Sequence, residues 1–127
     1  MVPGSEIGAA LAATAVVPAI DGSLDTLQAA LTYHRERHTV LAGNVANLDT
    51  PNFRPLDLAR PSPGEDGPAQ VITSFDDGGA LQGPDGNAVS LERELAKIDA
   101  NRTRYNTTAE LVSRRIAMLR YAAGDGT

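Results

Sequence analysis

The chain has no cysteine and no tryptophan, and its 127 residues hold only two phenylalanines and three tyrosines. Without cysteine there is no disulfide, no thiolate nucleophile and no thiolate metal ligand. With so few bulky groups a deep apolar core cannot be filled, although the length fits a single domain. The longest apolar run, the Ala-rich stretch from Ile7 to Val17, is too short for a membrane span. Positive charge is missing from two stretches. Residues 1–34 carry Glu6, Asp21 and Asp25 and no Lys or Arg, and residues 61–90 carry five acids (Glu65, Asp66, Asp76, Asp77, Asp85) and no base. Residues 91–121 reverse the balance, with seven bases against four acids. The net charge is −5, and no basic patch is interleaved with aromatics, so nucleic-acid binding has no support. A basic segment beside an acidic one suits charge-complementary packing between copies or with partners.

What is present is a pair of helical repeats. Leu24, Leu27, Leu31, His34, His38, Leu41, Val45 and Leu48 recur at spacings of three and four. That is a heptad seam, with Ser23 or Asp25 able to cap its start. Leu91, Leu95, Ile98, Arg102, Tyr105, Ala109, Val112, Ile116 and Leu119 form a second seam after Ser90, a good N-cap, and Gly124 ends it. Glu92 and Glu94 suit the positive start of that helix, and Arg114, Arg115 and Arg120 its negative end. A seam of this length needs another helix against it. The expected fold is therefore mainly α, two long antiparallel helices in a coiled-coil hairpin.

Between the helices the period vanishes. Asn47, Asp49 and Thr50 favour a turn, and Pro51 cannot continue a helix and pushes Thr50 out of the α region. Pro55 keeps the next stretch extended, and Phe53, Leu56 and Leu58 offer apolar anchors. Val71 to Phe75 reads as a strand, Asp76 to Gly79 as a turn and Ala80 to Gln82 as a short return strand. The middle is thus expected to be irregular with at most a small β-hairpin. The expected division is a flexible extension over 1–23, a coiled-coil helix over 24–50, an irregular middle over 51–89, a coiled-coil helix over 90–121 and a flexible tail over 122–127. Ala13-Thr-Ala15 has the look of a signal cleavage site, but a secretory signal needs a basic start, and Glu6 stands there.

Chemical constellations are sparse. His34 and His38 lie one helical turn apart, a spacing that can bind zinc, but Arg35 stands where a zinc protease has Glu. Both fall in the seam and are flanked by arginines, so they read as interface residues. Glu36, Asp49 and Asp57 could supply a carboxylate pair, yet nothing positions a nucleophile or oxyanion site beside them. No Gly-rich phosphate loop follows a strand. The expectation is no enzyme activity, no cofactor, no metal and no small-molecule substrate. Arg102 interrupts the second seam, either snorkelling or pairing with an acid such as Glu36.

The stretch Asn44-Val-Ala46-Asn47-Leu-Asp-Thr50-Pro51-Asn-Phe53 closely resembles the Asn-(Ile/Val)-Ala-Asn-x-x-Thr-Pro-Gly-(Tyr/Phe) signature of bacterial flagellar axial proteins, the rod, hook and hook-associated family. The helix over Leu24 to Ala42, the Arg54-Pro-Leu-Asp57-Leu continuation and Asp85-Gly-Asn87-Ala-Val89-Ser-Leu91-Glu-Arg-Glu94 resemble the proximal rod members of that family. Asn52 departs from the signature where Gly is usual; Asn is the next most tolerant residue of a left-handed backbone.

The resemblance implies a structural subunit of the flagellar basal body. It would assemble with other rod proteins into the hollow shaft that transmits torque from motor to hook. The implied neighbours are other copies of itself, the rod protein FlgC and other rod proteins, the adaptor FliE at the membrane-ring junction, and the flagellar type III export apparatus. The implied location is the periplasmic rod, reached without a cleaved secretory signal. The alternatives are another axial rod protein such as FlgC, or a helical adaptor or export chaperone. The residues expected to matter are the turn, Asn44, Ala46, Asn47, Thr50, Pro51 and Phe53. With it stands the packing seam of Leu24, Leu27, Leu31, Leu41 and Val45 against Leu95, Ile98, Tyr105, Val112, Ile116 and Leu119.

Overall fold

The structure is a computed structural model that describes residues 4–62, 65, 67–73 and 82–124, with side chains from residue 22 onward. Four elements follow in order: α1 (Gly4–Ala46), β1 (Leu56–Ala59), β2 (Gln70–Thr73) and α2 (Leu91–Ala122). α1 has 43 residues and α2 has 32. At about 1.5 Å per residue these are roughly 64 and 48 Å long. α1 begins well upstream of Leu24, where the heptad pattern starts, so the stretch to its N-terminal side continues the same helix.

α1 stops at Ala46, ahead of Thr50. Its last hydrogen bonds tighten: the Asn47 N–H is shared between the carbonyls of Gly43 and Asn44, and the Leu48 N–H reaches Val45. A turn from Asn47 to Thr50 completes the exit. α2 opens with the Glu94 N–H on the Ser90 carbonyl and closes at Gly124, whose φ is +85°. A left-handed glycine after the last turn is the usual way to stop a helix.

β1 and β2 form a two-stranded antiparallel sheet, Leu56 opposite Thr73 and Ala59 opposite Gln70. The small hairpin is present, but β2 pairs with the Leu56 stretch that precedes it. Phe75, the Asp76–Gly79 turn, and Ala80 and Leu81 of the expected return strand lie outside the described residues. The reason for this pairing is the docking of Leu56 to Leu58 on α1, described below, which holds β1 ready as a template.

Two compact units emerge. Residues 31–106 form one. Two hydrogen-bonded pairs cross between its helical segments, His34 with Asn101 and Asn44 with Glu94. Residue numbers rise along one helix as they fall along the other, so the helices pack antiparallel. The buried apolar side chains here are Leu41 and Leu58, joined by Pro55. Six polar residues are buried with them: His34, Asn44, Asp57, Asn87, Glu94 and Asn101. The other unit comprises residues 1–30 and 107–127. Among its described residues no side chain is buried; Leu24, Leu27, Val112, Ile116 and Leu119 are half-buried, and Leu111, Met118 and Tyr121 are exposed.

Candidate functional site

Polar residues of the 31–106 unit, among them Asn44, Asn47, Asn87 and Glu94, form a lock around the turn. Asn44, on the last turn of α1, is 1% exposed. Its Nδ2 donates to the Leu56 carbonyl at 2.7 Å and to Glu94 Oε2 at 2.9 Å. Its Oδ1 accepts from the Leu56 N–H at 2.8 Å. One amide thus satisfies both backbone groups of a strand residue, as a neighbouring strand would, and also reaches α2. Glu94 is wholly buried, and Lys97 Nζ approaches its other oxygen at 3.5 Å. A carboxylate taken out of water is tolerable only with such partners.

Two further contacts extend the docking of β1 on α1. Arg37 grips Asp57 with a bidentate pair, Nε to Oδ1 at 2.8 Å and NH2 to Oδ2 at 2.9 Å. Tyr33 donates its hydroxyl to the Leu58 carbonyl at 2.8 Å. Leu56, Asp57 and Leu58 therefore meet Asn44, Arg37 and Tyr33 along one side of α1. Burial pushes the Asp57 carboxyl up. The hydrogen bonds from Arg37 and the Leu58 N–H, with the charges of Arg37 and Lys97, outweigh it and hold Asp57 below the usual carboxylate range.

The turn is braced from the far side by the segment before α2. Asn87 Nδ2 donates to the carbonyls of Asn47 at 2.9 Å and Thr50 at 2.6 Å, and its Oδ1 accepts from the Val89 N–H. The turn that follows α1 is thereby held from another part of the chain, its Asn47 and Thr50 carbonyls each accepting this side-chain bond beside a backbone one. Asn47 Nδ2 turns back to the Gly43 carbonyl, and its Oδ1 accepts from the Thr50 hydroxyl. Backbone bonds join the Asn52 N–H to Asp85 and the Ala88 N–H to Phe53. Asn52 has φ +61°, the left-handed conformation expected where Gly is usual. It packs against Gly86, itself at φ +76°, where a Cβ would collide with the Asn52 side-chain amide.

The His34–Asn101 pair also crosses between the helices. Asn101 Nδ2 donates to the His34 carbonyl at 2.7 Å, which turns Asn101 Oδ1 toward His34 Nδ1 at 2.8 Å. The ring proton therefore sits on Nδ1, since the opposite amide orientation would set oxygen against oxygen. Tyr33 packs edge-on to the His34 ring.

Of the turn residues, Asn44 and Asn47 carry the hydrogen bonds, Thr50 contributes its hydroxyl and carbonyl, Phe53 is half-buried, and Ala46 and Pro51 are exposed. Of the seam residues, Leu41 is fully buried, Leu31, Val45 and Ile98 are half-buried, and Leu95 and Tyr105 are 49% and 38% exposed. His34 lies buried between the helices while His38 is exposed, so the two are not gathered into one site. Glu36, Asp49 and Arg102 are likewise exposed. Among the described residues no group of three or more His, Asp or Glu is placed to hold a metal.

Sequence reasoning missed Asn87, Glu94 and Asn101 as structural hubs, and Arg37 as the partner of Asp57. For Asn87 and Glu94 the signal was there, since both fall in the Asp85–Glu94 stretch that resembles the rod proteins. Asn101 gave none: it lies beside the apolar seam and looks like a solvated residue.

The turn whose residues resemble the flagellar axial signature is thus locked to the segment that opens α2, and comparison with known proteins points to the same class, the bacterial flagellar rod proteins. The chain is 37% identical over 87 residues to the flagellar basal body rod protein FlgB of Aquifex aeolicus (strain VF5). That match covers 57% of this chain and 68% of the relative. The chain belongs to the FlgB family of flagellar basal body rod proteins. No protein-family model matches it.

Proposed function

We propose that the protein is a proximal rod subunit that self-assembles, with FlgC and other rod proteins, into the hollow shaft carrying torque from motor to hook. FliE at the membrane-ring junction is its neighbour on the cell side. The subunit leaves through the flagellar type III apparatus without a cleaved secretory signal and works in the periplasmic rod. Family membership supports the rod role. One structural observation supports assembly: apolar side chains remain exposed along α2, among them Leu91, Leu95, Tyr105, Leu111, Met118 and Tyr121. Apolar surface left in water by a single copy is covered when copies pack head to tail around an axis. The lock gives each copy one fixed angle between α1 and the strand that follows, and a helical array needs identical angles in every subunit.

The test is far-UV circular dichroism with sedimentation on the full chain, alone and mixed with FlgC and FliE. Growth of helix signal and fast-sedimenting particles on mixing is the expected result. A strongly helical monomer or dimer indifferent to both partners would replace this reading with a free-standing helical adaptor.

A further inference from the structure

α2 carries two exposed faces that differ in charge. At about 100° per residue, Leu91, Glu92, Leu95 and Asp99 share a face that spans about 100° of the helix. All four are exposed, Leu95 at 49%. The buried residues Glu94 and Asn101 lie roughly 120° around the helix from the centre of that face, and Arg93 and Lys97 lie on its far side. The first face is therefore apolar and acidic. Arg102, also exposed, bounds it one turn beyond Asp99.

The second face lies further along the same helix. Leu111, Arg114, Met118 and Tyr121 fall within about 80° of one another. All four are exposed, Tyr121 at 78%. The half-buried Val112, Ile116 and Leu119 lie roughly 140° away around the helix. Arg115 Nη1 comes to 4.0 Å from Met118 Sδ, and residues 111–121 hold three arginines and no acid. This face is apolar and basic. Both faces belong to one helix, so neither can cover the other within a chain.

We propose that the Leu91–Asp99 face of one copy packs on the Leu111–Tyr121 face of the next, with the two α2 helices antiparallel. This rests on the rod-subunit reading and names the surface through which copies meet. With Asp99 set level with Arg114, antiparallel helices bring Leu95 level with Met118 and Leu91 beside Tyr121. Arg102 then falls level with Leu111, next to exposed Glu110. Apolar groups meet apolar groups and charges meet their opposites along the whole contact. It is heterologous, since two different faces meet, and so it propagates along an assembly. Like faces set acid against acid or arginine against arginine, which disfavours closed pairs.

The chain has no cysteine, so introduced ones report without background. Full-length Leu95→Cys and Met118→Cys variants are mixed together with FlgC and FliE, oxidised and run without reductant. The expected product is the mixed Leu95→Cys/Met118→Cys dimer. Charge reversal tests the same contact. Asp99→Arg alone, or Arg114→Asp alone, sets like charges against each other and should raise the concentration needed for sedimenting particles about tenfold or more. Mixing these two single variants should restore assembly, because each reversed face then meets its opposite on the other variant. Helicity of both should match the parent, since the two side chains are exposed. Predominant 95–95 or 118–118 products, particles that form normally from either reversed variant, or no recovery on mixing would overturn the docking and leave the rod reading standing. No particles from the parent chain with any partner would overturn both.

Discussion

Asn44 shows how much one side chain can decide at the residue scale. Its amide satisfies the Leu56 N–H and C=O and one oxygen of buried Glu94. Asn44→Ala removes the partner of buried Glu94 Oε2 and of the two backbone groups of half-buried Leu56, at about 1–3 kcal/mol for each that water cannot reach. A loss of about 3 kcal/mol or more is expected in urea denaturation followed by circular dichroism. Asn44→Asp should be at least as damaging, because it sets a second carboxylate beside Glu94. Gly86 makes a different point. Gly86→Ala forces a left-handed backbone on alanine, costing about 1 kcal/mol or more, and drives a methyl into Asn52. Asn52→Gly should be nearly neutral alone and should recover part of the Gly86→Ala loss in the double variant. Full additivity of the two changes would show that the pair does not touch.

At the scale of elements, β1 is held to α1 through the Arg37–Asp57 pair, and acid should loosen it. The folded protein binds a proton at Asp57 more weakly than the unfolded chain does, because its carboxyl is held below the usual range. The unfolded state therefore carries more protons in acid, and stability rises with pH there. The contribution is complete above the ordinary aspartate value of about 3.9 and is lost as pH falls through the depressed native value. Asp57→Asn should be less stable at neutral pH, and its deficit relative to the parent should shrink below about pH 4. A deficit constant with pH would remove the pair from the account. The His34–Asn101 pair makes a further prediction. Asn101→Leu alone strands the His34 ring and costs about 1–3 kcal/mol. His34→Leu with Asn101→Leu together should regain much of that. Yet it should broaden the amide NMR spectrum, because no polar match then sets the register of the helices.

At the scale of the whole molecule, charge is divided along the chain and the lock is not. Raising salt to about 1 M, where the screening length is about 3 Å, should weaken association between copies. The helix signal of the 31–106 unit should persist, since its polar pairs are buried. Sedimentation and circular dichroism on the same samples separate the two responses. Salt-insensitive association would point to a contact carried by apolar surface alone.

The sequence by itself determined that a helix flanks the middle segment on each side and where the first one stops. Spacings of three and four have no other reading over such lengths, and Asn47 to Pro51 cannot continue a helix. It also marked both halves of the lock, through Asn44 to Phe53 and Asp85 to Glu94, and the left-handed Asn52. Tertiary structure alone decided which stripe of α2 turns inward. Periodicity says which residues share a face but not which face finds a match, and here Glu94 and Asn101 find Asn44 and His34 at hydrogen-bond distance while Leu95 stays outside. Tertiary structure also chose the partner of β2, because the docking that makes Leu56 to Ala59 a template comes from α1, which no local pattern in the strand records.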